Sequence, residues 1–203
     1  MSDGRLTGVR GPGRPPAQGL VSRRELLRAA REVFSQHGYN ATTLKGIASR
    51  VGVTRPALIY HFHSKRNLYE ELLISADRAM RDLMERALAA PTFVRQLLCF
   101  VETLSDDIPL ASFLVSAAAD VKRHPGQWPA SHDITSTING FVAVALRGAV
   151  RRGELSEAPT AVSIDLVAAM VMGLLLETVC SADKPLDAVF GQFAALLTGS
   201  WHQ

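Results

Sequence analysis

Residues 42–65 read Thr-Thr-Leu-Lys-Gly-Ile-Ala-Ser-Arg-Val-Gly-Val-Thr-Arg-Pro-Ala-Leu-Ile-Tyr-His-Phe-His-Ser-Lys. The first half has apolar residues at the spacing of one buried helix face, namely Leu44, Ile47, Ala48 and Val51. Thr43 is a good N-cap for that helix, and Gly52 stands where it must stop, a position that favours a left-handed backbone. Thr54 is a second N-cap, with Pro56 in the following first turn, where a missing N–H costs little. This order predicts a helix-turn-helix, a motif that inserts its second helix into the major groove of DNA.

The same stretch, extended to about Ser22–Leu72, resembles the N-terminal domain of TetR-family transcriptional regulators. That family has a helix ending in Phe-x-x-x-Gly-Tyr, then Thr-Thr, Ile-Ala-x-x-x-Gly-Val-Ser/Thr and Leu-Tyr-x-His-Phe-x-Ser-Lys. The matching residues are Phe34, Gly38, Tyr39, Thr42, Thr43, Ile47, Ala48, Gly52, Val53, Thr54, Leu58, His61, Phe62, Ser64 and Lys65. The resemblance implies an all-α protein, with a three-helix DNA-binding domain followed by a larger helical domain for ligand binding and dimerisation.

The resemblance also implies which side chains touch DNA. By matching positions, the base edges are met by Arg55, Pro56 and Ile59, joined by Lys45 from the preceding helix. The phosphates are held by Thr43, Thr54, Tyr60, His61 and Lys65. One position departs from the family, which often has tyrosine where this chain has Ile59. Either Ile59 packs against a thymine methyl, or it is buried and Tyr60 makes the contact.

The distribution of charge supports a DNA-facing first third. The whole chain has a formal charge of only +3, but residues 1–66 hold 12 Lys and Arg against three Asp and Glu. Residues 67–203 hold 10 against 16, so the remainder is acidic. A basic segment joined to an acidic one is expected of a nucleic-acid-binding domain on a body that does not bind DNA. An acidic body also disfavours a protein that coats RNA uniformly.

Three regions are predicted along the chain. Residues 1–21 form a flexible basic arm, residues 22–68 the helix-turn-helix domain, and residues 69–203 the effector-binding and dimerisation domain. Two interpretations of the arm stay open. Arg14, between Gly13 and Pro15, enters a narrow minor groove, or the arm is a solvated tail that adds only non-specific affinity.

The first helix is predicted to open on the capping box Ser22-x-x-Glu25 and to end at Gly38, and a fourth starts after Ser64 and runs towards Ala89. Later segments also have helical periodicity, with breaks at proline and glycine. The predicted helices of the body are Thr92–Leu104, Pro109–His124, Asp133–Arg152, Thr160–Ser181 and Leu186–Trp201.

Large apolar side chains and one amide in the body are candidates for lining a pocket for a small apolar effector: Phe93, Leu97, Phe100, Phe113, Trp128, Asn139, Phe141 and Met170. For each residue taken alone, a place in the ordinary core is the favoured interpretation. The last two long helices are apolar almost all round and must be covered on more than one side. The predicted dimer interface is Ile164, Val167, Val171, Leu174, Leu175, Thr178, Phe190, Phe193 and Leu197, with the core of a single chain as the alternative.

Catalytic and metal chemistry is not expected. His61 and His63 are two residues apart and lack a cysteine or carboxylate at ligand spacing, and we find no phosphate-binding or nucleophile motif. No cofactor is expected. The longest apolar run, Leu166–Leu176, is shorter than the ~20 residues that cross a bilayer. With no secretory leader and two cysteines in apolar context, a cytoplasmic protein is predicted, with the cysteines as reduced packing residues rather than a redox pair.

The predicted function is therefore a sequence-specific transcriptional regulator. The expected form is a homodimeric repressor that an unknown small apolar effector releases from a palindromic DNA operator. Two alternatives stay open: a non-enzymatic helical ligand-binding or scaffold protein whose hairpin only resembles the motif, and a non-specific nucleoid-type protein.

Overall fold

The computed structural model describes residues 21–124, 126–129, 133–156, 158–181 and 186–198. Within these ranges the chain forms nine α-helices and no strand, which confirms the all-α prediction. Their bounds are α1 (Arg23–Ala41), α2 (Leu44–Val51), α3 (Arg55–Phe62), α4 (Lys65–Leu88), α5 (Phe93–Ser105), α6 (Ile108–Arg123), α7 (Ile134–Arg151), α8 (Ala161–Cys180) and α9 (Leu186–Thr198).

Helices α1 to α3 and the start of α4 form the basic N-terminal unit, which we call the head. Its core is built from fully buried apolar side chains on all four helices, namely Leu26, Phe34, Ile47, Leu58 and Leu68. The helical hydrogen-bonding pattern of α1 runs to Ala41, three residues beyond the predicted end at Gly38. Gly38 itself is non-helical, with φ 71° and ψ 173°, so the chain does turn there.

Helices α4 to α9 form the body. Helix α4 belongs to both units, because its first turns complete the head and its later turns pack against α5 and α7. The ends of α5 to α8 each lie one residue from the predicted ones, and each of these four helices has a capping side chain at its N-terminus. Thr92, Asp107, Asp133 and Thr160 each accept a hydrogen bond from a backbone N–H of the first turn. Trp201, the predicted end of α9, lies outside the described residues.

Helix α8 is the most apolar long helix of the body. Its 20 residues are long and apolar enough to span a bilayer by length and composition, although the predicted apolar run was shorter. Core helices of soluble proteins share this length and composition. About 33% of its most apolar window is buried, so this chain alone leaves much of the helix uncovered.

Candidate nucleic-acid interface

The turn between α2 and α3 has the geometry that the sequence predicts. Gly52 adopts a left-handed conformation (φ 71°, ψ 23°) and donates its N–H to the carbonyls of α2. The next amide, of Val53, donates to the Ala48 carbonyl over 3.0 Å, which closes the end of the helix. Because the left-handed Gly52 turns the chain sharply, α3 begins three residues later, at Arg55, and packs against α2.

Helix α3 has one buried side and one exposed side. Leu58 and Phe62 are buried in the head, whereas Arg55, Pro56 and Ala57 are exposed. Tyr60 is 81% exposed and Ile59 is half-buried. Of the two interpretations of this pair, the burial favours Tyr60 as the side chain that reaches outward. Ala57 is exposed beside them, although it is not among the residues predicted to contact DNA, because a methyl group carries no hydrogen-bonding signal.

A surface cleft of about 380 Å³ lies between the start of α2 and the start of α3. Four of the predicted DNA-binding residues line it together: Thr43, Lys45, Arg55 and Lys65. Lys45 and Arg55 are exposed basic side chains that line the cleft. Basic side chains beside the N-termini of α2 and α3 suit the binding of a nucleic-acid phosphate.

The Lys65 ammonium is engaged within the protein. Nζ donates to the carbonyl oxygens of Tyr39 at 2.8 Å, Thr42 at 3.0 Å and Asn40 at 3.4 Å. It also lies 4.2 Å from the centre of the Tyr39 ring. Burial lowers the pKa of Lys65, with Asp120 acting in the opposite direction. An ammonium has three protons, so these carbonyls occupy the donors that a phosphate would need.

The two predicted threonine contacts also act as helix caps. Thr43 Oγ1 accepts from the Gly46 amide at 3.0 Å, and Thr54 Oγ1 accepts from the Ala57 amide at 3.3 Å. Both residues are exposed. Since a hydroxyl that accepts keeps its own hydrogen, each threonine is still able to donate to a phosphate.

The end of α3 brings the remaining predicted groups to the surface. His61 is half-buried, and its ring packs edge-on against Tyr60 with 5.4 Å between centres. His63 caps the helix with a positive φ of 63°, an uncommon conformation for a side chain of this size. Arg14 lies outside the described residues.

A family model described as bacterial regulatory proteins of the TetR family matches residues 26–72, which span most of the head and its helix-turn-helix. Over these residues the chain is similar to the DNA-binding domain of the TetR family, and it is a DNA-binding transcriptional regulator. The regulator resembles the HTH-type transcriptional regulator UidR of Escherichia coli K12. The two are 24% identical over 180 residues, which cover 88% of this chain and 91% of the relative.

Solved structures share the regulator's fold over nearly its whole length. The TetR-family regulator PfmR from Thermus thermophilus superposes with a TM-score of 0.68 at 21% identity, covering 88% of this chain and 99% of PfmR. The regulator FadR from Bacillus subtilis, solved in complex with stearoyl-CoA, has a TM-score of 0.63 at 19% identity, covering 89% of this chain and 100% of FadR. The function of the regulator is DNA-binding control of transcription.

The eight predicted effector contacts do not line one cavity. Trp128 lies at the junction with the head, where its ring centre is 4.8 Å from that of Tyr39. Phe113 packs there too, 5.7 Å from the Tyr69 ring. Phe93, Leu97 and Phe100 are buried in ordinary core, and Met170 is half-buried against it. Most of the eight therefore lie where the alternative interpretation, ordinary core, places them, and their contact with an effector stays a prediction.

One of the eight, Phe141, lines an open groove of about 530 Å³ between α4 and α7. Its apolar walls come from Met84, Leu88, Phe141 and Val144, and polar groups such as Arg81 and Thr137 lie at its edges. Asn139 lies outside this groove. Its Nδ2 donates to Asp165 over 2.9 Å, and its buried Oδ1 lacks a hydrogen-bond partner.

The structure corrects the predicted dimer interface. Most of the named side chains are buried within the single chain, namely Val167, Val171, Leu174, Leu175, Thr178, Phe190 and Phe193. Ile164 and Leu197 are half-buried. The error arose because a helix that is apolar all round does not reveal from composition which side meets its own core.

A different stripe of α8 is exposed. Its members are Val162, Leu166, Ala169, Gly173, Leu176 and Cys180, spaced alternately four and three residues apart. Val162 is 76% exposed and Leu166 61% exposed. Alternating steps of four and three are the spacing of helices that pack side by side. The buried residues Val167, Val171, Leu174 and Thr178 share this spacing, so the sequence alone does not tell the two sides apart.

The described part of the chain offers no metal centre. Among those residues, no group of three or more His, Cys, Asp or Glu side chains is arranged to hold a metal ion.

Proposed function

We propose that the regulator is a homodimeric repressor that reads a palindromic operator with α3 and the start of α2. The observation that carries this proposal is that one side of α3 is exposed while its opposite side is buried in the head. Leu58 is completely buried, while Arg55, Pro56 and Tyr60 on the same helix face outward. A rigid helix with exposed polar and charged residues beside a basic cleft suits major-groove recognition.

Within this proposal, Arg55 reads bases together with Pro56, Ile59 and Lys45, and Ala57 allows close approach of the backbone. Thr43, Thr54, Tyr60 and His61 hold phosphates. Lys65 contributes indirectly, because its ammonium ties the end of α1 to the start of α4. Arg14, in the arm of residues 1–21, adds affinity through the backbone or the minor groove.

We further propose residues 22–68 as the DNA-binding domain and residues 69–203 as the effector and dimer domain. Helix α4 crosses this boundary without a break, which supports mechanical coupling between the two. The protein acts by binding and not by catalysis, and it acts in the cytoplasm, where its operator lies.

The proposed dimer pairs the exposed stripe of α8 with the same stripe of a second chain. The stripe is apolar throughout, and Ala169 and Gly173 are small enough for two helices to approach closely. An isologous contact of this kind gives the two-fold symmetry that a palindromic operator requires. Burial in the dimer also accounts for the low burial of so apolar a helix.

The proposed effector is a small molecule with an apolar part, bound in the groove between α4 and α7. FadR, which shares the fold, was solved with stearoyl-CoA, which supports this chemical class. The groove involves the second half of α4, whose first turns pack in the head. An effector that binds better to a conformer with altered head spacing shifts the population away from DNA.

An unbiased selection from random duplex oligonucleotides tests the function. We expect the full-length protein to enrich a palindromic sequence at physiological salt, and Arg55→Ala to lose about 1–3 kcal/mol per half-site on that sequence. Arg78→Ala serves as the matched control, because Arg78 is an exposed arginine of α4 beyond the head. Failure of the wild-type protein to enrich any duplex refutes the proposal.

A further inference from the structure

Asp120 is a charged group in an unusual place. It lies near the end of α6, and among the described residues it is the one carboxylate that is buried, with 4% exposure. Burying a carboxylate lowers the stability of a protein unless hydrogen bonds compensate. The hydrogen-bond partners of Asp120 therefore indicate which segments it holds in place.

Two of its partners belong to the helices of the head. The backbone N–H of Tyr39 donates to Oδ2 over 2.8 Å, and the hydroxyl of Tyr69 donates to the same oxygen over 3.1 Å. The other oxygen lies 3.7 Å from the guanidinium of Arg123, an exposed side chain of the same helix. The strongest bonds of Asp120 therefore run from the body to the end of α1 and to α4.

The backbone of α1 turns to meet this carboxylate. Gly38 has a positive φ of 71°, which takes the Tyr39 amide out of the helical pattern of α1. A Cβ at Gly38 would lie 3.4 Å from Asp120 Oδ1, at the limit of ordinary van der Waals contact. Glycine is therefore favoured by the left-handed turn, which takes the Tyr39 amide to Asp120.

The Tyr39 residue is held from its other side by the head. Its carbonyl accepts from Lys65, which also holds the carbonyl of Thr42, the residue before the N-cap of α2. The Tyr39 and Tyr69 rings pack with 4.9 Å between centres. The segment that begins the helix-turn-helix is thereby held between α6 of the body and α4.

Two further contacts join α6 to α1 beside this carboxylate. Ser116 Oγ donates to the Phe34 carbonyl at 3.3 Å, and the Asn40 amide lies 2.9 Å from His124 Nε2. Each is a single hydrogen bond, and neither involves a carboxylate. Asp120 makes the charge-assisted contact of the set, which is roughly twice as strong.

We propose that Asp120 is a positioning residue: through the Tyr39 amide, the body sets the placement of α2 and α3 for specific DNA recognition. This inference rests on the proposed function of the head. A shift of α6 by an ångström exceeds what a 2.8 Å hydrogen bond tolerates, so the segment after Gly38 must either follow α6 or lose the bond. Movement of α6 thus changes where the DNA-reading helices lie.

The test uses full-length protein and two duplexes, the sequence enriched by selection and a scrambled version of it. Asp120→Asn keeps the size of the side chain and removes its charge. We expect it to bind the enriched duplex about tenfold more weakly while its affinity for the scrambled duplex stays within about twofold. Non-specific affinity depends on charge and not on head placement, so the two affinities separate.

Two further variants complete the experiment. Tyr69→Phe removes one hydroxyl and should give a smaller loss, about threefold, on the enriched duplex alone. Asp82→Asn, an exposed aspartate of α4, should change neither affinity. Circular dichroism at the assay temperature verifies that each protein is folded. If Asp120→Asn does not fold, Tyr69→Phe decides the question.

The possible outcomes are distinct. Equal loss on both duplexes, or a lower Tm with neither affinity changed in folded protein, shows that Asp120 only stabilises the fold and overturns the inference. If the wild-type protein does not discriminate between the duplexes, the proposed function is refuted, whatever the Asp120 variant does.

Discussion

At the scale of single residues, the two lysines of the basic cleft have different surroundings. Lys45 is exposed on α2, whereas the Lys65 ammonium donates to three backbone carbonyls near the end of α1. Their charges are the same, so the local structure decides what each one does. Lys45 is available to DNA, and Lys65 joins α4 to the segment that precedes α2.

We therefore expect Lys65→Met to lower the free energy of unfolding by about 1–3 kcal/mol, since carbonyls lose a charged donor. Lys45→Met, the matched control, should leave stability unchanged and lower the affinity for the enriched duplex more than for a scrambled one, because Lys45 is proposed to reach base edges. Urea unfolding and affinity for both duplexes at several salt concentrations measure these effects. If Lys65→Met leaves unfolding unchanged and flattens the salt dependence, Lys65 is a direct phosphate contact instead.

At the scale of helices, the ends of α7 and α5 are joined by one carboxylate. Glu154 follows Gly153 after α7, and its Oε2 accepts the backbone N–H of Phe93 at 2.7 Å, in the first turn of α5. Its other oxygen accepts from Arg152. The bond to Phe93, assisted by Arg152, holds the pKa of Glu154 below its ordinary value of 4.5.

The depressed pKa sets the sign of a pH effect. The ionised carboxylate stabilises the fold above the unfolded-state pKa, and this contribution is lost as the pH falls through the lower folded-state pKa. Glu154→Gln should cost about 0.3–1 kcal/mol near neutral pH, the usual contribution of an exposed anion at a helix N-terminus. The difference from wild type should vanish in acid.

Urea unfolding at a series of pH values from neutral to strongly acidic provides the measurement. Glu85→Gln, an exposed glutamate of α4, is the control and should show no such difference. A destabilisation by Glu154→Gln that is the same at every pH contradicts the assignment of this effect to charge.

At the scale of the whole molecule, the apolar stripe of α8 stays exposed among the described residues of one chain. We expect Leu166→Glu to place a charge in the middle of the dimer contact and to yield monomers, because a buried unpaired charge is strongly unfavourable. Ile74→Glu, at an exposed apolar residue of α4 outside the stripe, should stay dimeric. Sedimentation equilibrium distinguishes the 22.0 kDa chain from its dimer.

DNA binding gives a second measurement on the same variants. A monomer keeps one head, so Leu166→Glu should lose the preference for a palindromic duplex over a single half-site. Persistence of the dimer in Leu166→Glu, or its loss in Ile74→Glu, contradicts the assigned interface.

The head was predictable almost in full. The hydrogen bonds of Thr43, Gly52 and Thr54 at the helix ends go to residues a few positions away in the chain. Short sequence patterns therefore predict these caps and this turn. The exposed side of α3 follows from the same patterns, because Leu58 must face the core. The family resemblance added the roles of these residues towards DNA.

The body was predictable only as a set of helices. Phe113 and Trp128 look like pocket residues in the sequence but pack at the junction with Tyr39 and Tyr69. The sequence by itself determined the all-α class, the helix-turn-helix and the helix ends, since these depend on local hydrogen bonds and local periodicity. Only the tertiary structure decided which side of α8 is exposed and which amide Asp120 binds, since both depend on residues distant in the chain.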